Sequence, residues 1–230
     1  MGSSRLPGKV MQMIGGKPVL AHVLERCARI EGCDNVICAV PDEEASAALE
    51  QVARGCGAGI YRGSEHDVLG RYLGAARMAK AEVVMRVTSD CPLIDPRICG
   101  AVLDLRGREG ADYAANNMPR SFPHGLDCEV FTTEALSEAD RVTRDAYDRE
   151  HVTPWLRRAP HLKRANLESG RPALERHRWT LDYPEDLAFF RAVFEALPPG
   201  SAGGMDEVLN VLAAHPQFSD INAVRRVASA

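Results

Sequence analysis

EVVMRVTSDCPLIDP, residues 82–96, contains the most strand-like run of the chain. Four of its first eight residues are apolar and three of those are valines, which predicts a buried strand. Asp90 follows that strand directly, and Asp95 precedes a proline at a predicted helix start. Ligands of open α/β sheets bind outside the carboxyl ends of parallel strands. Asp90 is therefore predicted to face a ligand crevice, and Asp95 to cap the helix.

Strand-like and helix-like segments alternate on both sides of this stretch. The predicted strands are 35–40, 58–63 and 82–89, and the predicted helices are 17–30, 41–57, 64–80 and 95–110. Such alternation over about 110 residues predicts an α/β fold with a mostly parallel sheet and helices on both faces.

The alternation changes after residue 110. Further strands are predicted at 126–133, at 161–168 and within 177–182, and further helices at 134–142, 147–158, 184–197 and 205–215, the second of them interrupted by Pro154. No repeat or linker divides the chain. We expect a single domain, 1–230, in which residues 111–176 form an insertion that carries substrate contacts.

Composition excludes several classes of protein. The 230 residues carry a formal net charge of −4, which argues against a nucleic-acid partner. No apolar run approaches the roughly 20 residues of a membrane span, and the amino end lacks the apolar core of a signal peptide. We expect a cytoplasmic protein with no membrane association. The seven cysteines include no C-x-x-C pair, so we interpret them as small buried apolar residues.

The amino-terminal stretch MGSSRLPGK has the residues of a phosphate-binding loop. Gly2, Ser3 and Ser4 expose backbone N–H groups with little bulk, so phosphate oxygens can approach closely. The planar guanidinium of Arg5 offers several hydrogen-bond donors to phosphate oxygens, and the side chain of Lys9 offers a mobile positive charge. The stretch lacks the order of a Walker loop, and a solvated tail with two basic residues is an equally good interpretation.

Asp182 resembles Asp90 because it also lies just after an extended apolar run, WTL. Alone, it is better interpreted as a helix cap, and Glu185 or Asp186 as a residue of the first helical turn. Magnesium takes one or two carboxylates and completes its shell with water and phosphate oxygens. If Asp90, Asp182 and the basic loop converge, they form a site for a metal and a triphosphate.

Three other stretches contain weaker candidates. Arg62, Ser64 and Asp67 bracket a helix start, where they could read a polar ligand, although their spacing favours helix capping. Residues 122–131 and 149–154 place acids and histidines beside glycine or proline, as possible sugar-contact loops. His151 and Glu150 are adjacent on a predicted helix and therefore point apart, and no histidine spacing supports a metal site.

Seven motifs together resemble a known family. In chain order they are GSSRLPGK, GGKP, RGSEHDVLGRY, VTSDCPLIDP, HGLDCEVF, REHVTP and RWTLDYPEDL. They resemble the spore coat polysaccharide biosynthesis protein F family, which is similar to the CMP-sugar synthetases, the acylneuraminate and 3-deoxy-manno-octulosonate cytidylyltransferases. The likeness runs from Gly2 to about Asn222 and implies a Rossmann-like nucleotidyltransferase fold.

The resemblance also implies roles for particular residues. Arg5 and Lys9 match the triphosphate-binding loop, Asp90 and Asp182 match two magnesium-binding aspartates, and 62–72 matches the nucleotide-reading region. Residues matching motifs near the sugar are Asn117, His124, Asp127, Glu129, Arg149 and His151.

The chain departs from the family at its amino end. Family members carry a first strand ending in a Q-A-R-M-like run before Gly2, and Met1 aligns with that methionine. We interpret the missing strand as a late start site or a truncated gene product. The sheet is then expected to have a gap that another segment covers, or the protein to be marginally stable.

The predicted function is a magnesium-dependent transfer of CMP from CTP to a sugar or sugar acid, with release of pyrophosphate, in surface polysaccharide or glycan biosynthesis. Dimerisation is common among the synthetases that the chain resembles, so the resemblance implies a homodimer. One alternative is a glycosyltransferase-like enzyme, although its usual D-x-D motif is replaced here by Ser89-Asp90-Cys91. The other is an inactive nucleotide-binding partner protein, because the first strand is missing.

Overall fold

The structure, a computed structural model, describes residues 5–225. Its larger strands form two hydrogen-bonded groups. The first group pairs β3 (Ile37–Pro41) with β4 (Gly59–Gly63) in parallel. The second has the order β5-β7-β6-β8 and contains β5 (Val83–Arg86), β6 (Tyr113–Ala115), β7 (Glu129–Thr132) and β8 (Arg164–Asn166). Strand β7 is antiparallel to β5 and β6, and β6 is parallel to β8, so β5, β6 and β8 share one direction.

Helices cover both faces of the second group. The helices within residues 5–225 are α1 (Val19–Cys27), α2 (Ala47–Gly55), α3 (Val68–Ala79), α4 (Pro96–Glu109), α5 (Thr133–Val142), α6 (Ala146–His151), α7 (Pro154–Arg158), α8 (Pro184–Ala196), α9 (Met205–Ala214) and α10 (Phe218–Ile221). Successive strand side chains point to opposite faces. Tyr113, Ala115 and Phe131 pack with α3, α5 and α7, whereas Ala114 and Val130 pack with α1 and α4. The predicted α/β arrangement is confirmed.

Local signals explain where α4 begins and ends. The Asp95 carboxylate accepts a hydrogen bond from the backbone N–H of Arg97 at 2.9 Å, and Pro96 is the first helical residue. Gly110 follows the helix with a φ of 56°, a left-handed conformation that favours glycine. The prediction that Asp95 caps this helix is confirmed.

Two helix predictions are wrong in detail. The helix expected from Lys17 begins at Val19, because Lys17 and Pro18 form β2 and pair with β1 (Met13–Ile14) in a hairpin. The helix expected over 147–158 is two helices, α6 and α7. Pro154 begins α7, since a residue with no backbone N–H is tolerated in a first helical turn but not in a helix interior.

The strand expected within 177–182 is reduced to a single bridge between His124 and Arg178. This stretch instead lies under α8 and α9, where Trp179 and Leu181 join the apolar cluster of Phe189 and Phe190. It is held at both ends, because the Trp179 N–H donates to the His124 carbonyl at 2.6 Å and the Leu181 N–H to that of Asp90 at 2.9 Å.

Residues 111–176 supply β6, β7 and β8 to the sheet. Whether they also carry substrate contacts stays a prediction. All seven cysteines are free and buried or half-buried, as expected of small apolar residues. Among residues 5–225, no helix is long and apolar enough to cross a membrane.

Candidate active site

Lys9 bridges two aspartates that are distant in the sequence. Its Nζ lies 2.6 Å from Oδ2 of Asp90 and 2.9 Å from Oδ1 of Asp182. Two carboxylate oxygens that contact one nitrogen are close enough to share a single cation. The structure therefore brings together the basic loop and both strand-end carboxylates, the convergence on which the predicted triphosphate site depends.

Backbone contacts produce this convergence. Asp90 follows β5, and its carbonyl accepts the N–H of Leu181, which places the next residue, Asp182, beside it. On the opposite side, Gly8 has a φ of 63° and leads into a short 3-10 turn over Lys9–Met11. That left-handed residue redirects the chain so that the Lys9 side chain enters the site.

Arg178 fixes the second aspartate. Its Nη2 donates to Oδ2 of Asp182 at 2.8 Å, and its Nε and Nη2 donate to the two carboxylate oxygens of Asp186 at 3.1 Å. Arg178 is 6% exposed and Asp186 is fully buried. Asn222 supports both, donating to the Arg178 carbonyl and to Oδ1 of Asp186, each at 3.0 Å.

Asp186 therefore does more than the sequence predicted. It accepts the N–H of Tyr183 at the start of α8, as expected of a first-turn acid, and it also anchors Arg178. Sequence reasoning missed Arg178. The available signal was an arginine in the otherwise apolar stretch RWTL, four residues before a candidate metal ligand.

Arg5 lies at the outer edge of the same site. Its guanidinium donates to the Tyr183 hydroxyl at 3.2 Å and to Asp182 Oδ1 at 3.4 Å, and it lies 5.0 Å from the centroid of the Tyr183 ring. Its side chain is 55% exposed, so it is accessible to a ligand entering from solvent. Tyr183 was not among the predicted site residues.

The charges of this cluster reinforce one another. Burial disfavours the ionised form of Lys9, but Asp90 and Asp182 outweigh it and raise the lysine pKa. Burial likewise opposes ionisation of Asp182, yet Lys9 and Arg178 outweigh it and lower the pKa of that carboxyl. At neutral pH the site therefore contains an ammonium group and an ionised Asp182.

The predicted nucleotide-reading residues are engaged in structural contacts. Arg62, at the end of β4, pairs with Glu50 at 2.5 Å and with Asp42 at 3.3 Å. Ser64 accepts the N–H of Asp67, which in turn caps α3 by accepting the N–H of Gly70 at 2.9 Å. Their role in nucleotide recognition stays a prediction. Gly2, Ser3 and Ser4 lie outside the described residues.

The loop that contains His124 and Asp127 lies beside the site. Arg120 donates to Asp127 at 2.5 Å, and His124 lies 3.9 Å from the same carboxylate. Burial lowers the pKa of His124, so its ring is neutral at neutral pH. The backbone of this loop crosses the stretch before Asp182, where His124 forms a bridge with Arg178.

Glu129 forms a second, buried ionic cluster. Its carboxylate accepts from Arg86 at 2.8 Å, Arg157 at 2.5 Å and the Tyr113 hydroxyl at 2.5 Å. Burial opposes its ionisation, but the two arginines outweigh burial and lower the Glu129 pKa. Arg157 also reaches the Asn117 side chain at 3.5 Å, and it is a residue that sequence reasoning missed.

The remaining candidates lie on α6. Arg149 donates to Asp67 and to Asp140, both at 2.8 Å, and so ties α6 to α3 and α5. His151 is exposed, and its ring lies 4.3 Å from that of Tyr147. These contacts account for Arg149 as a structural residue, and the proposed sugar contacts of Arg149 and His151 stay predictions.

The donor set at Asp90 and Asp182 fits magnesium better than a transition metal. Both side chains present carboxylates, the hard oxygen donors that magnesium prefers. Within residues 5–225, no group of three or more His, Cys, Asp or Glu residues is arranged to hold a metal ion by itself. Two carboxylates are nonetheless sufficient where phosphate oxygens and water complete the shell.

Comparison with known proteins identifies the family. The family model for cytidylyltransferases matches residues 1–191. The chain is 31% identical over 221 residues to the spore coat polysaccharide biosynthesis protein SpsF of Bacillus subtilis, covering 91% of this chain and 90% of that protein. It is 31% identical to a 3-deoxy-manno-octulosonate cytidylyltransferase of Anaeromyxobacter dehalogenans, covering 96% of this chain and 83% of that protein.

A solved structure agrees with the sequence comparisons. The cytidylyltransferase of Leptospira borgpetersenii superposes with a TM-score of 0.87 at 28% identity, covering 95% of this chain and 92% of that one. The expected resemblance and the expected Rossmann-like fold are both confirmed. Because the family model and the relatives each span most of its length, the chain belongs to the cytidylyltransferase family.

Proposed function

We propose that this cytidylyltransferase transfers CMP from CTP to a sugar or sugar acid and releases pyrophosphate, with Mg²⁺ held by Asp90 and Asp182. The observation that carries the proposal is the contact of one ammonium group, that of Lys9, with both carboxylates. A pocket that holds a cation between two acids, beside a second basic residue, has the charge pattern of a metal–triphosphate site.

The chain's own residues supply binding and charge stabilisation. Arg5 and Lys9 would contact the triphosphate and offset the negative charge that grows on its oxygens when a sugar hydroxyl attacks the α-phosphorus. For this, the Lys9 ammonium leaves the carboxylates for the phosphate oxygens. Arg178 keeps Asp182 ionised and fixed in place. Bound Mg²⁺ would add Lewis-acid stabilisation of the phosphate oxygens.

The activities of two relatives support a proposal for the product. One relative acts in spore coat polysaccharide biosynthesis and another is a 3-deoxy-manno-octulosonate cytidylyltransferase. We therefore propose a CMP-activated sugar or sugar acid destined for a surface polysaccharide or glycan. We further propose that the protein is a cytoplasmic homodimer. Light scattering during size-exclusion chromatography would measure the number of subunits.

The decisive experiment is the replacement Asp90→Asn. With CTP, Mg²⁺ and a panel of sugar acids that includes 3-deoxy-manno-octulosonate, the parent protein should release pyrophosphate. The variant should lose at least about 100-fold in turnover, because an amide is a much weaker ligand and stabilises no positive charge. Asp104→Asn, on the exposed side of α4, is the matched control and should keep full activity.

Circular dichroism should show that both variants remain folded. Magnesium-dependent pyrophosphate release that is equal in Asp90→Asn and the parent would remove Asp90 from the site. Release of free nucleotide from a nucleotide sugar, without pyrophosphate from CTP, would indicate a glycosyltransferase. Calorimetric binding of CTP with no turnover of any acceptor would indicate a nucleotide-binding partner protein.

A further inference from the structure

Tyr183 lies at a fixed point beside the candidate metal ligand Asp182. It follows that aspartate directly and precedes Pro184, the first residue of α8. The fully buried carboxylate of Asp186 accepts the backbone N–H groups of both Asp182 and Tyr183, each at 3.0 Å. Two hydrogen bonds to one buried charge hold this turn in one conformation. The position of the Tyr183 backbone relative to Asp182 is therefore set by the start of α8.

The ring of Tyr183 lies against the guanidinium groups of three arginines. The Cζ atoms of Arg225, Arg5 and Arg178 lie 4.0 Å, 5.0 Å and 5.8 Å from the ring centroid. A guanidinium group within about 6 Å of an aromatic centroid is attracted by the electron-rich face of the ring. Arg225 is itself anchored, since it donates to the Glu185 carboxylate at 2.9 Å. The closest of the three contacts therefore joins the ring to a residue that α8 holds in place.

The hydroxyl group of Tyr183 accepts a hydrogen bond from Nη1 of Arg5 at 3.2 Å. The guanidinium also donates from Nη2 to Oδ1 of Asp182, but that contact is longer, at 3.4 Å, and Lys9 donates to the same oxygen at 2.9 Å. The Arg5 side chain is 55% exposed, and an exposed arginine must give up many rotamers to bind a ligand in one conformation. The hydroxyl and the ring of Tyr183 together restrict Arg5 before a ligand arrives.

We propose that Tyr183 is a positioning residue for the triphosphate, because its hydroxyl and the face of its ring hold the Arg5 guanidinium beside Asp182. Arginine carries N–H donors on each of its side-chain nitrogens, so Arg5 has donors for phosphate oxygens in addition to those that Tyr183 and Asp182 accept. Ordering a side chain before binding raises affinity, since the ligand no longer bears that cost. This role rests on the proposed function, in which Arg5 binds the triphosphate, but its test requires no turnover.

The test is a double-mutant cycle on Arg5 and Tyr183, measured by calorimetric titration of the full chain with inorganic triphosphate and Mg²⁺. Tyr183→Phe keeps the ring against Arg225 and removes the hydroxyl, so the dissociation constant should rise about tenfold. In the Arg5→Ala background the same replacement should change the dissociation constant by less than about twofold, because the residue through which Tyr183 acts is gone. Tyr147→Phe, on the exposed side of α6, is the matched control and should bind like the parent.

The outcomes of this cycle separate the positioning role from other roles of Tyr183. Equal weakening by Tyr183→Phe in the parent and in the Arg5→Ala background would overturn the proposal, because Tyr183 would then act on the fold or on the ligand directly. Unchanged affinity in Tyr183→Phe would overturn it as well, and so would a parent chain that binds no inorganic triphosphate. A parent that shows the expected cycle but releases no pyrophosphate from CTP would support the positioning role and contradict the proposed function alone.

A measurement on the parent chain covers a Tyr183→Phe protein that fails to fold. In NMR spectra of the protein with isotope-labelled arginine, the side-chain signal of Arg5 is assigned by its loss in Arg5→Lys. Its N–H protons should exchange with water at least about fivefold more slowly than those of Arg141, whose side chain is 73% exposed and lies 3.7 Å from Glu138. Exchange as fast as that of Arg141 would overturn the proposal, since Tyr183 would then not restrict Arg5.

Discussion

At the scale of single residues, the Lys9 ammonium group lies between Asp90 and Asp182, at the position that the proposed function gives to Mg²⁺. The ammonium group neutralises the mutual repulsion of Asp90 and Asp182, and both acids would otherwise face each other across the site. A divalent cation held by both carboxylates, as proposed, would have to displace this ammonium group. Under that proposal, Lys9 would oppose metal binding when no nucleotide is present and would assist binding of the nucleotide when one is.

Replacing Lys9 by Ala tests this competition. In the absence of nucleotide, Mn²⁺ or Mg²⁺ should bind about tenfold more tightly, a change of about 1.4 kcal/mol. Turnover with CTP should fall by roughly 100-fold, because one charge that stabilises the transition state is lost. Calorimetric metal titration and pyrophosphate release measure the two effects.

Lys9→Arg is the control, since it keeps the positive charge and should keep the weak metal affinity. Equal metal affinities for the parent, Lys9→Ala and Lys9→Arg would show that the ammonium group does not compete with a metal at these carboxylates.

At the scale of elements, a close backbone crossing brings the His124 loop against the stretch that leads to Asp182. Gly125 has a φ of 110°, and a Cβ there would lie 2.0 Å from the Trp179 carbonyl oxygen. No side chain fits at this crossing. The positions of His124 and Asp127 relative to the carboxylate pair therefore depend on Gly125, which has no side chain.

Gly125→Ala should lower the free energy of unfolding by about 1–3 kcal/mol, from backbone strain and the clash together. It should also weaken CTP-dependent turnover, since the loop shifts away from Asp182. Gly107→Ala, inside α4, is the matched control, because a Cβ added there would meet no atom within 4 Å. It should raise stability by about 0.5–1 kcal/mol, as alanine does in a helix interior. Chemical denaturation measures the free energy of unfolding of both variants. A Gly125→Ala protein as stable as the parent would show that Gly125 and Trp179 do not approach this closely.

At the scale of the whole molecule, buried carboxylates set the stability in acid. Glu129 joins β7 to Arg86 on β5 and to Arg157 on α7, so one buried charge connects three elements. Its folded-state pKa is lowered from the ordinary value of 4.5, and that of Asp182 from 3.8. A lowered pKa contributes stability that is complete above the unfolded pKa and is lost as pH falls through the folded pKa.

The protein should therefore lose stability progressively below about pH 4.5. Glu129→Gln should cost about 3–5 kcal/mol at pH 7, because it leaves two arginines in a buried cluster without their counter-charge. It should also flatten the decline below pH 4.5, since one titrating group is gone. Urea unfolding at a series of pH values measures both effects. If the free energy of unfolding falls in parallel with pH for the parent and the variant, Glu129 is not the source of the stability lost in acid.

Much of the fold was predictable from local patterns. The strand at 82–89, the cap at Asp95 and the helix over 64–80 all depend on near neighbours in sequence. The structure contains the cap where it was predicted and the strand and the helix with shorter bounds. The exceptions have tertiary causes. Lys17 and Pro18, predicted as helical, pair in a hairpin instead. Residues 177–182, predicted as a strand, instead pack through Trp179 and Leu181 in the apolar cluster under α8 and α9.

For the candidate site, the sequence by itself determined which residues have the chemistry: a basic loop, and two acids that each follow an extended run. Only the tertiary structure decided that Asp90 and Asp182 meet at Lys9, that Arg178 holds the second acid, and that Arg149 and Glu129 are bound in ion pairs. The physical reason is range. Strand and cap signals act over a few residues, whereas these contacts depend on backbone pairing between segments far apart in the chain, such as the hydrogen bond from Leu181 to Asp90.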